Sequence, residues 1–292
     1  MEQLLPSLSF GTLFSLLVAI PTLVAFGVGF SVFVPDTSPR RFAAELVRTD
    51  WKYLGLAWTI TFGVNTMAHE FHSGAAYTSV IYDLEGTTVL LFQSFTWEPL
   101  TYVLTFVYLV GFPFVVLFTY FKLKVHDPEQ ARRYSAAYAM LVLFALPYFL
   151  AFPVAVTSEY LGQAANGEPV MQALMYDLHP IISEGITSTD TLVKSFPSLH
   201  TGLSALAAVY ARETDRSYAR LAGGLTVTII FSTFYLGVHW LTDAAFALVL
   251  VGIAYYLSQR IPDPAILESR VGSALSVDAT ESDSDRYGRR AD

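Results

Sequence analysis

FGTLFSLLVAIPTLVAFGVGFSVFV, residues 10–34, decides the fold. The stretch carries no charge, and it exceeds the roughly 20 mostly apolar residues that take a helix across the hydrocarbon core of a membrane. Further apolar runs follow at Pro99–Phe121, Ser135–Val156, Leu221–Val238 and Ala244–Leu257. Two shorter runs lie at Tyr53–Ala68 and Leu199–Ala211. Across its 292 residues the chain is 53% hydrophobic and only 14% charged, with a mean hydropathy of +0.47. A soluble domain carries nearer a quarter charged residues. The pattern predicts an all-α polytopic membrane helical bundle of about six or seven transmembrane helices.

The positive residues orient that bundle. Lys and Arg are retained in short cytoplasmic loops. Arg40, Arg41, Arg48 and Lys52 follow the first run; Lys122, Lys124, Arg132 and Arg133 follow the third. Arg212, Arg216 and Arg220 follow the fifth, and the rest begin at Arg260, after the seventh. Every second connection is basic. Seven spans, with the N-terminus outside and the C-terminal tail cytoplasmic, place all of the 17 Lys and Arg residues inside except Lys194. Removing either short span would put a basic loop on the wrong side. The expected localisation is the cell membrane, multi-pass.

The remaining composition excludes several classes. There is no cysteine, hence no disulfide framework, thiolate metal site or cysteine nucleophile. The net charge of −8 argues against nucleic acid as a partner. The first ten residues, MEQLLPSLSF, lack the basic region of a signal peptide, so the first run reads as a retained helix. Residues 1–260 read as one integral-membrane domain with a motif core at 194–258. Residues 261–292, containing DATESDSD, read as an acidic, disordered cytoplasmic tail. No obligate protein partner is implied.

Two short motifs lie at the outer ends of the later spans: SFPSLH at residues 195–200 and HWLTD at residues 239–243. A polar group at such a place costs free energy unless it is used. His239 and Asp243 stand at i and i+4, one face of a helix. A carboxylate that accepts from one imidazole nitrogen fixes the tautomer and frees the other nitrogen to attack. Pro197 and Ser198 read as a helix start, whose backbone N–H groups favour an anion such as phosphate. Lys194 would add a cation, the Ser198 hydroxyl a donor, and His200 a proton for a leaving oxygen. Against this stand blander roles: Ser198 as a helix cap, Lys194 as an interfacial snorkeler, each histidine as a satisfied polar residue. The convergence of both motifs and the one external cation on one leaflet favours a site.

PSLH and HWLTD resemble the second and third signatures of the type 2 phosphatidic acid phosphatase superfamily, P-S-G-H and S-R-x5-H-x3-D. Ser232, His239 and Asp243 fall at that spacing. The resemblance runs from Lys194 to Asp243 and the helix that follows. It implies that His239 is the nucleophile and forms a phosphohistidine. Asp243 would orient it, His200 would protonate the leaving group, Ser198 would hold phosphate oxygens, and Ser232 and Lys194 would also bind the substrate, with no metal or other cofactor. Thr233 stands where the family has arginine, Leu199 replaces glycine, and the upstream Lys and Arg-Pro signature is missing. Arginine matches phosphate oxygens in a bidentate way that threonine or lysine does not. A phosphomonoester would miss those arginines more than a phosphodiester with its single charge. The PSLH form is also similar to the inositol phosphorylceramide synthase-like (inositolphosphotransferase) branch. The expected function is therefore a membrane lipid phosphotransferase moving a phosphorylated head group, with lipid phosphate phosphatase as the alternative. The expected partner is a membrane lipid.

Other residues remain open. His69, Glu70 and His72 in MAHEFHSG lie on the same side, but HEFH lacks the HExxH spacing of zinc proteases. His179 and Glu184 precede SFPSLH and could meet a polar head group. A transporter, or a relative that has lost activity with its arginines, is the reading of another class. The strong spans carry almost no mid-helix ionisable residues, which argues for chemistry at an interface rather than passage.

Overall fold

The computed structural model describes residues 9–35, 76–162, 171–189 and 195–261, with the single positions 38, 55, 59 and 63. The regular elements among them are all helical. In chain order they are α1 (Phe10–Phe33), α2 (Thr78–Glu85), a 3-10 turn (Thr88–Gln93) and α3 (Glu98–His126), which contains a π-helical turn at Val107–Gly111. Then follow α4 (Pro128–Ala151), α5 (Thr157–Leu161), α6 (Pro180–Thr189), α7 (Leu199–Ala211), α8 (Arg216–Tyr235) and α9 (Leu241–Gln259). The helices α1, α3, α4 and α9 are long and apolar enough to cross a membrane. The architecture is that of a helical membrane protein. Apart from positions 55, 59 and 63, the run Tyr53–Ala68 lies outside the described residues, as do Lys194, the cluster of His69, Glu70 and His72, and the tail beyond residue 261.

The helix limits depart from the apolar runs where local chemistry intervenes. The run Ser135–Val156 stops being helical at Ala151 because Phe152 precedes Pro153, and a residue before proline is pushed out of the α region. Phe152 accordingly has φ −134° and ψ 63°. The run Leu221–Val238 ends its helix at Tyr235, and Gly237 then turns the chain with φ +78°. The segments between the long helices contain α2, the 3-10 turn, α5 and α6.

The helix α7 is the axis of the bundle. Its 13 residues rise about 20 Å, less than the ~30 Å hydrocarbon core. It need not span, because α3, α4, α8 and α9 all pack against it. Small residues make that possible: Gly202, Ala205, Ala207 and Ala211 are buried, and a Cβ at Gly202 would lie 3.2 Å from Leu141. Close approach through small residues is how helices associate when lipid supplies no hydrophobic drive. The outer helix α1 is the opposite case. Leu16, Ile20, Leu23, Val24 and Val28 are exposed on it, as a lipid-facing stripe is. Its Phe26 and Phe30 interlock edge-on with Phe118 of α3, at centroid separations of 5.7 and 5.2 Å.

Polar ties sort the helix ends into two groups. At one end Lys122 donates to the carbonyl of Phe33 at the close of α1. It also pairs with Asp215 at 2.8 Å. Asp215 caps α8 through the N–H groups of Ser217 and Tyr218, at 3.1 and 2.9 Å. Burial alone would raise the Asp215 carboxyl, but the hydrogen bond from Lys122, the two backbone donors and the lysine charge hold it below its ordinary value. Asp127 caps α4 in the same way. Arg133 reaches Gln259 at 3.0 Å, and Gln259 reaches Tyr210 at 3.1 Å. The ends of α1, α3, α7 and α9 and the starts of α4 and α8 thus share one end, which carries the described Lys and Arg residues of the inter-helix turns. The opposite end joins the starts of α3, α7 and α9 to the close of α8, and both histidine motifs lie there.

Candidate active site

SFPSLH and HWLTD meet through their backbones. The N–H of Ser198 donates to the carbonyl of Asp243 at 3.3 Å, which seats the start of α7 against the first turn of α9. Ser198 is the N-cap of α7. Its Oγ accepts from the Thr201 N–H at 3.2 Å, and the residue is only 1% exposed. The N–H groups of Leu199 and His200, in the first turn, have no acceptor among the described residues. Two backbone donors and the Ser198 hydroxyl proton are therefore free at a positive helix end, the arrangement that binds phosphate oxygens.

His239 and Asp243 pair, but not as two residues of one helix. The helix α9 begins at Leu241; Trp240 is its extended N-cap (φ −84°, ψ 155°), and His239 precedes the cap. Asp243 is the third helical residue. Its Oδ2 accepts the N–H of Trp240 at 2.9 Å, as a capping carboxylate does. The same oxygen receives the Nδ1 of His239 at 3.2 Å. The i, i+4 spacing works because the cap bends the chain back over the first turn. The carboxylate is fully buried and His239 is 5% exposed.

Ser195 is the third member of this network, and nothing in its sequence context marked it. Its Oγ donates to Asp243 Oδ2 and lies 3.2 Å from His239 Nδ1. Since the single hydroxyl proton goes to the carboxylate, the proton between His239 and this pair sits on Nδ1. Nε2 then carries the lone pair, with no partner among the described residues. The backbone of His239 is fixed as well: its N–H and that of Val238 both donate to the carbonyl of Thr233, at 3.2 and 3.0 Å. Gly237 makes that turn, and a Cβ there would meet the carbonyl oxygen of Gln172 at 2.7 Å.

His200 faces His239 across a gap, with ring centroids 6.2 Å apart. It is clasped by Tyr108, stacked at 4.1 Å, and by Phe112 at 4.2 Å. The Tyr108 hydroxyl lies 3.2 Å from His200 Nδ1, which leaves Nε2 as the nitrogen able to serve a reactant. Tyr108 belongs to the π-helical turn of α3, where the extra residue per turn re-aims side chains.

Of the other residues singled out in the sequence, Ser232 is fully buried, and its hydroxyl donates to the Ile229 carbonyl of its own helix at 2.7 Å. His179 caps α6, accepting the N–H of Ile181 on Nδ1 at 3.1 Å, and Glu184 is exposed on that helix.

A residue far from the motifs braces the site. Glu85, at the close of α2, receives the N–H groups of Leu241 and Thr242 at 3.1 and 2.7 Å and the Thr242 hydroxyl at 2.7 Å. It neutralises the start of α9, so of the two adjoining helix starts only that of α7 remains open to an anion. Glu85→Ala strips three hydrogen bonds from partly buried donors and is expected to cost about 2–3 kcal/mol. Thermal unfolding in detergent should show a clear fall in midpoint, with Glu85→Gln losing less. An unchanged midpoint would remove Glu85 from this role.

Fold and site together define a helical membrane protein with a buried His–Asp pair opposite a second histidine. A family model of the PAP2 superfamily matches residues 79–257, from α2 to near the close of α9. The chain belongs to the PAP2, or type 2 phosphatidic acid phosphatase, superfamily, whose members are phosphatase-type enzymes acting on lipid phosphates. No curated protein and no solved structure matches it.

Proposed function

We propose that this protein is a lipid phosphoesterase that works through a phosphohistidine and transfers a phosphorylated head group between lipids. The observation that carries the reading is the state of His239: Nδ1 committed to buried Asp243, Nε2 free, and the ring opposite His200. The His239 Nε2 lone pair attacks phosphorus, and the bond from phosphorus to the leaving oxygen breaks. That oxygen takes the proton of His200. The N–H groups of Leu199 and His200 and the Ser198 hydroxyl stabilise charge on the equatorial oxygens. In the second half an acceptor hydroxyl gives its proton back to His200 and attacks phosphorus, which releases His239.

The acceptor distinguishes two readings. Thr233 at the position of the family arginine, with its hydroxyl turned to the Ile230 carbonyl, leaves few cations for a phosphomonoester dianion. This favours a phosphodiester substrate and an alcohol acceptor. Family membership keeps the second reading, hydrolysis of a lipid phosphate monoester by water. Lys194 is proposed as an added cation at the start of α7. Ser232 is proposed to support the segment before His239 through its helix. The alternation of basic connections supports a cell-membrane protein with this site on the extracytoplasmic side.

The test supplies detergent-purified protein with a mixed lipid extract and with lipid phosphates, using His239→Ala as control. Free phosphate and lipid masses are read together. New lipid masses without free phosphate are expected. Free phosphate that depends on His239 would make the protein a phosphatase. Neither product above the control would sink both readings.

A further inference from the structure

A second recess lies at the histidine end of the bundle, at the start of α3. It has a volume of about 310 Å³ and is lined by Trp97, Glu98, Thr101, Tyr102 and Asp177, closed by two leucines. Among the described residues no Lys, Arg or His lines it, while Glu98, Asp177, Trp97 and Tyr102 do. An anion would be repelled there. A hydrated metal ion would find only two exposed carboxylates, too few oxygens for a cage. An organic ammonium is weakly hydrated and is attracted both by the carboxylates and by the faces of Trp and Tyr rings. The volume is at the small end of ligand cavities, enough for a head group and not for a whole lipid.

The recess is built into the site's own framework. Thr101 Oγ1 lies 3.0 Å from the Tyr235 hydroxyl, which also accepts the Trp97 N–H at 3.2 Å. Tyr235 closes α8, four residues before His239. Along α3, Thr101 precedes Tyr108, the residue stacked on His200, by two turns, about 10 Å. Trp97 and Tyr102 are about half exposed, 57% and 52%. Amphipathic aromatics of this kind settle at head-group depth, which is where the ammonium groups of zwitterionic lipids lie.

We propose that this recess binds an organic ammonium group, and that the lipid phosphodiesters turned over at the histidine site are those with a substituted ammonium in the head group. The second clause rests on the phosphoesterase reading; the first does not. Two turns of α3 exceed the reach from phosphorus to nitrogen in one such head group, so the recess holds the cation of an arriving lipid before its phosphate reaches the start of α7.

The experiment has a binding arm and a turnover arm. His239→Ala protein in detergent is titrated with tetramethylammonium chloride by calorimetry, with sodium chloride at equal ionic strength as reference. Binding is expected, and the double change Glu98→Gln, Asp177→Asn should weaken it roughly ten-fold. Trp97→Leu, which keeps both charges, should weaken it less. In the turnover arm, the double amide variant in an otherwise unchanged chain acts on phosphatidylcholine and on phosphatidylglycerol vesicles. Its KM should rise several-fold for the former and stay level for the latter. No heat beyond the sodium reference would overturn the site, whatever the activity. Binding that the double variant loses, with both lipids turned over as before, would keep the ammonium site but assign it to a free amine. Binding in a protein inactive on every phospholipid would leave this site standing while the phosphoesterase reading fell.

Discussion

His239→Ala should abolish turnover and His200→Ala should cripple it, and the two losses should differ in kind. His239 supplies the bond-forming nitrogen, so nothing can replace it within the site. The expected loss is at least about 10⁴-fold, down to background. His200 gives a proton to the leaving oxygen, an effect worth about 10²–10⁴-fold. A substrate whose leaving group needs no proton, such as a p-nitrophenyl phosphodiester, should restore much of the first half-reaction to His200→Ala and none to His239→Ala. In that variant the phosphohistidine should outlive its formation, because the acceptor also loses the base that removes its proton. Rapid acid-sparing quench with radiolabelled phosphodiester would detect it as label on the protein, labile in acid and stable in base. Equal loss in both variants with no rescue would mean that His200 does not act as the acid. Full activity in His239→Ala would remove the phosphohistidine mechanism altogether.

That the two histidines belong together was legible from SFPSLH and HWLTD because both motifs carry their signal locally. A proline followed by a small hydroxyl residue marks a helix start, and Ser198 is the N-cap of α7. An acidic residue four places after a histidine marks a pair, and the pair forms. The route differs from the expectation of one helical face, since His239 lies before the cap of α9 and Asp243 reaches it through capping geometry. Both arrangements share the same spacing, so the sequence alone does not separate them. Leu199–Ala211 read as a weak span for a physical reason: it is too short for the bilayer but is sheathed by other helices.

What the sequence hid are the contacts made across the chain. Tyr108 sits within a 29-residue apolar helix. No periodicity tells it apart from its neighbours, and only the π-helical turn sets it against His200. Glu85 belongs to a loop helix 156 positions away from the Leu241 N–H that it holds. Ser195 lies inside a stretch already singled out, yet a lone serine before Phe-Pro carries no chemical signal until the fold brings Asp243 beside it. Charge alternation acts through the sidedness of turns rather than through contacts. The described basic residues of the inter-helix turns do share one end of the bundle, with the histidines at the other.

Asp243→Asn should be nearly as damaging as loss of the nucleophile while leaving the fold in place. The carboxylate does two tasks with one oxygen. Oδ2 holds the N–H of Trp240 at 2.9 Å and takes the donors from Ser195 and His239. Oδ1 is buried and has no partner among the described residues. An asparagine can keep its amide oxygen at the Oδ2 position, so the start of α9 stays capped. Its NH₂ then occupies the place of Oδ1, where nothing described accepts it, at a cost of about 1–3 kcal/mol in stability. The chemical loss is larger. A neutral amide no longer stabilises the positive charge that His239 acquires as Nε2 binds phosphorus, and it holds the Nδ1 proton less firmly. A fall of about 10⁴-fold in kcat is expected, by analogy with the loss of a buried orienting carboxylate beside a catalytic histidine. KM should change little, because substrate oxygens are held at α7 and not by Asp243. Asp243→Ala, which removes the cap as well, should add a drop in thermal midpoint that Asp243→Asn largely avoids. Kinetics and thermal unfolding of the two variants side by side separate the roles. If Asp243→Asn kept kcat within ten-fold of the parent, the carboxylate would be a helix cap alone, and His239 would need another source for its activation.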